Sequence, residues 1–224
     1  MLVLFDIDGT LLLRASAEHA AALREALETV YGVTTDGRPV SAAGRTDTAI
    51  ARDLAALGGV ERERFDAGLE AFIAACGRAY AERCPPSLDA FLAPGMAELL
   101  AALAARGDVL CSLVTGNYET VARLKLERAG IGHHFPSGQG GFGSDSEHRN
   151  ELPAIARARA DNHPRERTIV IGDTPLDIEC AHADGLRILA IATGLYSADQ
   201  LGAADAIATD AHELTSLLDA ELRA

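Results

Sequence analysis

Apolar and polar positions follow two patterns along this chain, and the boundary between them sets the expected architecture. Leu2-Val3-Leu4-Phe5, Val109 to Val114, Thr168-Ile169-Val170-Ile171 and Leu186 to Ala192 are short, nearly unbroken apolar runs. Runs of this kind suit strands buried on both faces of a parallel sheet. Helical periodicity predicts helices over 96–106, 118–129, 150–160, 177–183 and 211–222, with a last short strand at 206–208. The first of these has Pro94 near its start and Gly107 after its end, the usual asymmetry of helix termini. Strand alternating with helix implies a parallel sheet covered on both sides.

The second pattern fills residues 14–91, which contain no strand candidate. Ala17 to Tyr31, Asp47 to Leu57 and about 61–83 read as helices, stopped by Gly32, Gly58-Gly59 and Cys84-Pro85-Pro86. A polar loop from Thr34 to Gly44, with Gly37 and Pro39, joins the first two. The predicted fold class is therefore α/β. A Rossmann-like three-layer core of residues 1–13 and 92–224 carries an all-helical cap, 14–91, inserted after its first strand. That position lets the cap lie as a lid over the strand ends. Ile131 to Gly143 reads as a Gly-rich connection; its Gly138-Gln139-Gly140-Gly141-Phe142-Gly143 has the letters of a dinucleotide fingerprint but follows no convincing strand.

Composition narrows the partners. Twenty Lys and Arg against 33 Asp and Glu leave a net charge of −13. That sign argues against nucleic acid and anionic membrane as partners, since both require basic patches. An anionic substrate then needs a local positive site. The 4 cysteines form no Cys-x-x-Cys pair, so neither a disulfide framework nor a zinc site is expected. No stretch reads as a signal peptide or a membrane span, and the expected setting is the cytoplasm. The oligomeric state is left at monomer or homodimer.

The chemistry gathers where strands end. The first run stops at Asp6-Ile7-Asp8-Gly9-Thr10-Leu11, with two carboxylates that share a side and are expected to raise each other's pKa unless a cation lies between them. The second ends at Thr115-Gly116-Asn117 and the third at Gly172-Asp173. In a parallel sheet these ends face one crevice. Asp6, Asp173 and Asp177 offer hard oxygen ligands suited to Mg²⁺, and Thr115 with Gly116, just before a helix, offers an anion cradle. Phosphate with Mg²⁺ fits all of these parts.

Three motifs, Asp6 to Leu11, Val114-Thr115-Gly116-Asn117 and Gly172-Asp173-Thr174-Pro175-Leu176-Asp177, give the chain a resemblance to the haloacid dehalogenase superfamily. The helical insertion resembles its helical-cap subclass, and the whole is most similar to phosphoglycolate-phosphatase-like members. The resemblance implies a phosphatase of small phosphorylated metabolites working through an aspartyl-phosphate. Asp6 is then the nucleophile, and Asp8 the acid–base, with a pKa nearer neutrality than a free carboxyl. Mg²⁺ is held by Asp6, Asp173, Asp177 and the Asp8 carbonyl, and phosphate is bound by Thr115, Gly116 and Asn117.

The family's basic residue, usually Lys, belongs on the helix before the last catalytic strand. The single lysine, Lys125, lies on the helix after Thr115, which reads as the wrong place; Arg149 stands in the right one. Arg45, in the cap loop, is a candidate for contacting the substrate's non-phosphate end, with His19 a weaker one. Asp8 argues against a dehalogenase, and the lysine-free cap against a phosphonatase. A sugar-phosphate mutase is the alternative within the family; a non-catalytic phosphate-sensing or partner-binding protein is the alternative outside it.

Overall fold

In the computed structural model, which describes residues 1–35, 37–38 and 40–223, the apolar runs pair into one parallel sheet. Pro39 of the cap loop lies outside the described residues. The strands are β1 (Leu2–Phe5), β2 (Leu110–Thr115), β3 (Gly141–Phe142), β4 (Thr168–Gly172), β5 (Arg187–Ile191) and β6 (Ala206–Ala208). Their order is β3-β2-β1-β4-β5-β6. From β1 the chain builds outward to one edge, then returns to β4 and builds to the other. The β1/β4 junction is therefore the topological switch point, where open α/β sheets leave a crevice beyond the carboxyl ends. Phe5 pairs with Leu113 on one side and Ile171 on the other, so β1, β2 and β4 end side by side.

The period-two alternation of the strands separates two hydrophobic layers. Val3, Phe5, Leu113, Ile169 and Ile171 pack on one face with α4 (Met96–Ala104), α5 (Glu119–Arg128) and α8 (Ala211–Glu221). Leu2, Leu4, Val114 and Val170 pack on the other with α6 (Leu152–Arg159) and α7 (Pro175–Ala183). This is the three-layer arrangement expected from the alternation of elements.

The intervening segment folds as α1 (Ala17–Tyr31), α2 (Asp47–Leu57) and α3 (Arg62–Arg83). Gly32 closes α1 in the left-handed conformation (φ 70°), and the Thr46 hydroxyl caps α2 by accepting the Ala49 N–H. The three helices share one continuous hydrophobic cluster with the first face of the sheet. Phe72 of α3 meets Tyr118, just ahead of α5, edge-on, their ring centroids 6.4 Å apart. One expectation needs correction: the connection over Ile131 to Gly143 contains β3, whose two residues pair with Val114 and Thr115. Glycine's absent side chain hid that strand from periodicity. At Gly141 a Cβ would stand 2.2 Å from the Leu152 carbonyl oxygen, so only glycine lets the chain pass there.

Candidate active site

Asp6 follows β1 directly, and its N–H donates to the Ile171 carbonyl at 2.9 Å, which fixes the backbone beside the end of β4. Asp173 follows β4, and Asp177 sits in the first turn of α7. One oxygen from each of these three buried carboxylates lies within 4.8 Å of the others. Arg149 reaches the group from the short 3₁₀ turn before α6, with Nη2 at 3.2 Å from Asp6 Oδ1 and a hydrogen bond to Asp177 Oδ1. Its Nε is buried without a partner. The second oxygen of Asp177 accepts the Thr174 N–H at 2.9 Å and the Thr174 hydroxyl at 2.7 Å. Asp177 thus caps α7 and aims Arg149, while Asp6 and Asp173 keep free oxygens.

Asp8 faces elsewhere. Both of its carboxylate oxygens are bound by Lys125 Nζ, at 2.8 and 2.6 Å, and one also accepts the Asn117 amide at 2.9 Å. The fully buried Lys125 also donates to Asn117 Oδ1 at 2.8 Å and lies 3.3 Å from His19 Nδ1. His19 Nε2 is 2.9 Å from Asp47 Oδ2, which accepts the Tyr118 N–H at 2.7 Å. A hydrogen-bonded chain therefore runs from the Asp47 carboxylate of α2, through α1 and α5, to Asp8.

This geometry adds one contact and corrects one sequence expectation. Lys125 does not take the place of the family's basic residue; it is the cation that meets Asp8. Its signal was a lysine among Val121, Ala122 and Leu126 on the buried face of α5, where an unpaired charge is costly. Nor do the two carboxylates raise each other alike. Burial, with Asp177 and Asp8 beside it, lifts Asp6 to about 7 against the pull of Arg149. Burial pushes Asp8 up as well, but Lys125, His19 and the hydrogen bonds from Lys125 and Asn117 overcome it and hold the carboxyl below its ordinary value. Environments that separate two carboxylates in this way assign them different work.

Thr115 is fully buried at the end of β2, its hydroxyl accepting the Asn117 N–H at 3.4 Å. Gly116 and Asn117, rather than Thr115, form that wall of the cavity above the carboxylates. Arg45 also lines the cavity, but its guanidinium is engaged by Asp53 at 2.7 Å and by the carbonyls of Ser41 and Ala49. The start of α2 rests on the core here, Asp47 N–H donating to the Gly116 carbonyl at 2.7 Å. Glycine is required at two positions. Gly9 has φ +98° and passes so close to Asp173 that a Cβ would stand 2.1 Å from Oδ2; a Cβ on Gly116 would stand 2.1 Å from the Arg45 carbonyl oxygen. Gly116→Ala must therefore push α2 off the core. A loss of about 1–3 kcal/mol is expected, read as a lowered midpoint in thermal unfolding.

The chemistry of the donor set fits a hard divalent cation. Asp173, like Asp6, is lifted by burial, and then by Asp6 and Asp177, to about 8; a bound cation removes that conflict. Asp6 and Asp173 could hold it, with Asp177 behind them. A testable consequence concerns the metal-free protein. Its two carboxyls titrate far above the unfolded value of 3.8, so the folded state binds more protons and stability falls as pH rises toward 8. The melting temperature of chelator-treated protein is expected to drop by about 5 °C or more between pH 5.5 and 8.5. Millimolar Mg²⁺ should restore most of the loss at pH 8.5 and little at pH 5.5.

Comparison with known proteins decides the family. The model for haloacid dehalogenase-like hydrolases matches residues 3–182, from β1 into α7. The chain belongs to the haloacid dehalogenase-like hydrolase family. The matched stretch contains Asp6, Asp8, Thr115, Arg149, Asp173 and Asp177, and a HAD-hydrolase-like model also matches residues 150–220. A phosphoglycolate phosphatase from Rhodospirillum rubrum is 32% identical over 117 residues, 51% of this chain and 47% of the relative. The match thus spans about half the length of that curated relative. Two solved members of similar fold are a predicted phosphoglycolate phosphatase from Haemophilus somnus and a β-phosphoglucomutase from Clostridium difficile. The first is 22% identical with a TM-score of 0.66, covering 97% of both chains. The second is 14% identical with a TM-score of 0.67, covering 99% of this chain and 96% of the other. At such identities the likeness is one of haloacid dehalogenase fold.

Proposed function

We propose that this chain is a Mg²⁺-dependent phosphatase that hydrolyses a small phosphate monoester through an aspartyl-phosphate on Asp6. One observation carries the reading: Asp6, Asp173 and Arg149 converge at the floor of one cavity, with an Arg149 N–H left unpartnered. A buried arginine without a full set of acceptors is suited to a phosphoryl oxygen. Burial works against the Arg149 charge, yet Asp177 and Asp6 keep it firmly protonated.

In this reading Asp6, ionised beside Arg149, attacks phosphorus in line while Arg149 and the backbone at Gly116 and Asn117 hold the phosphoryl oxygens. Mg²⁺, when bound by Asp6 and Asp173, supplies charge that offsets the repulsion between carboxylate and phosphate. Asp8, held ionised in the free site by Lys125, first takes the proton of the monoanionic ester and passes it to the leaving oxygen, and later takes one from the attacking water. Lys125 and Asn117 keep its carboxylate aimed. The buried, unpaired cysteines fit a reducing compartment such as the cytoplasm. Two names among similar proteins, phosphoglycolate phosphatase and β-phosphoglucomutase, support a small phosphorylated metabolite as substrate.

The test is phosphate release from a panel of esters, p-nitrophenyl phosphate included, in Mg²⁺ and in excess chelator. Release that requires Mg²⁺ is expected. Isomerisation of a sugar phosphate without release would make the protein a mutase. Neither reaction with any ester would favour a binding protein.

A further inference from the structure

The cavity above the carboxylates has a volume of about 760 Å³, far more than a phosphate group needs and within the range of whole small-molecule sites. Most charged groups that line it are matched inside the protein. Asp8 is held by Lys125, Asp47 by His19 and Arg45 by Asp53, while Asp6 faces Arg149 and, with Asp173, suits the cation. Two guanidiniums remain. Arg24 donates to the Thr35 hydroxyl and, at 3.1 Å, to the Arg38 carbonyl, both neutral acceptors. Arg14 is exposed and makes no ion pair or side-chain hydrogen bond among the described residues. In a chain with 33 acidic and 20 basic residues, an arginine beside a cavity has no shortage of acids to meet, yet this one meets none of those described.

The backbone marks the same residue independently. Arg14 has φ +59°; the other non-glycine residues with positive φ among those described are Asp161 and Asn162, types that tolerate the left-handed region far better than arginine does. The chain ahead of that turn is pinned to the core. The Gly9 N–H donates to the Leu12 carbonyl at 2.8 Å, and the Leu13 N–H to the Phe91 carbonyl at 2.7 Å. Arg14 therefore leaves the catalytic loop from a fixed point, in a conformation that persists because its surroundings impose it; such outliers gather at ligand sites. Ser16 lines the cavity beside it, and its hydroxyl caps no N–H of α1.

We infer that Arg14 sets specificity by binding a second anionic group, a carboxylate or a phosphate, on the leaving-group side of the substrate. The Ser16 hydroxyl is a further donor to that group, and Arg24 adds to the positive field. The inference rests on the phosphatase reading for the phosphate that is cleaved. A guanidinium presents a planar fork of N–H groups that either oxyanion fills bidentately, and a neutral hydroxyl does not. The unmatched arginines also give a doubly anionic ester a local positive site on a molecule of net charge −13.

The experiment measures kcat/KM in Mg²⁺ for matched pairs that differ in the second anion: 3-phosphoglycerate with glycerol 3-phosphate for a carboxylate, and fructose 1,6-bisphosphate with fructose 6-phosphate for a phosphate. In at least one pair the doubly anionic ester should lead by about tenfold or more, and the pair that shows the lead names the anion. Arg14→Gly removes the guanidinium and suits φ +59°, so the lead should shrink to about threefold or less while the melting temperature holds. No lead in either pair, or a lead that survives Arg14→Gly, overturns the inference and leaves the phosphatase standing. No release from any ester, p-nitrophenyl phosphate included, overturns the phosphatase instead. In that event, protection against thermal unfolding by 3-phosphonopropionate beyond that by propylphosphonate, lost in Arg14→Gly, still upholds the second anion site, and equal protection refutes it.

Discussion

Asp6→Asn is expected to lower Mg²⁺-dependent phosphate release by at least about 10³-fold while leaving the fold intact. The amide has the shape of the carboxylate but cannot attack phosphorus. The structure also predicts that the loss carries no cost in stability for the metal-free protein. Asp6 is buried, lifted to about 7, and is itself a cause of the high Asp173 value of about 8. Removing its charge relieves that conflict, and Arg149 keeps Asp177 as a partner. Metal-free Asp6→Asn should therefore melt at or above the wild-type temperature at pH 8, the usual opposition between activity and stability at a charged site. Phosphate release and a melting curve on one preparation check both halves. A variant that loses activity and also melts lower would contradict this account.

Lys125→Met carries the second large effect. The substitution keeps length and apolar bulk but removes the ammonium that meets both oxygens of Asp8. Losing one partner of a buried pair costs about 3–5 kcal/mol. Asp8 is 27% exposed at its side chain, and water recovers part of that, leaving about 2–3 kcal/mol. The sign with pH follows from the depressed Asp8 pKa. Such a group stabilises the fold above its unfolded value, and the contribution disappears as pH falls through the folded one. The wild type should exceed the variant in melting temperature by about 5 °C or more at pH 7, and the gap should narrow below pH 4. An Asp8→Asn/Lys125→Met double variant should be more stable than the sum of the single changes, since it buries neither charge alone. Turnover should fall as well, because Asn117 alone is then left to aim the acid–base.

Much of this site could be read from the chain, for a specific reason. Asp6, Thr115 and Asp173 each follow an apolar run, and parallel strands bring their ends to one edge whatever the loops do. Arg149 could be placed because it opens the helix leading back into β4. Lys125 could not, because the partner that explains it, Asp8, is 117 residues away and belongs to another element. Only its position on an apolar helical face distinguished it. The engagement of Arg45 by Asp53 was equally hidden, since exposed arginines at loop ends carry no mark of the acid they will meet. β3 escaped because glycine has neither period nor preference to show.

The hydrophobic cluster that runs unbroken from α1 and α3 into the sheet bears on how such a chain can be rebuilt. Phe72 against Tyr118, and the Asp47 carboxylate shared between His19 and the Tyr118 N–H, make the helical layer a graft that has grown into its host. Excising residues 14–91 would bare a greasy face of the sheet rather than release a spare part. A cap transplanted from a homologue would have to bring its own answer to Tyr118 and Lys125. Exchange of specificity by recombination is thus confined to the inner wall of the helices, where side chains can be traded without cutting the seam.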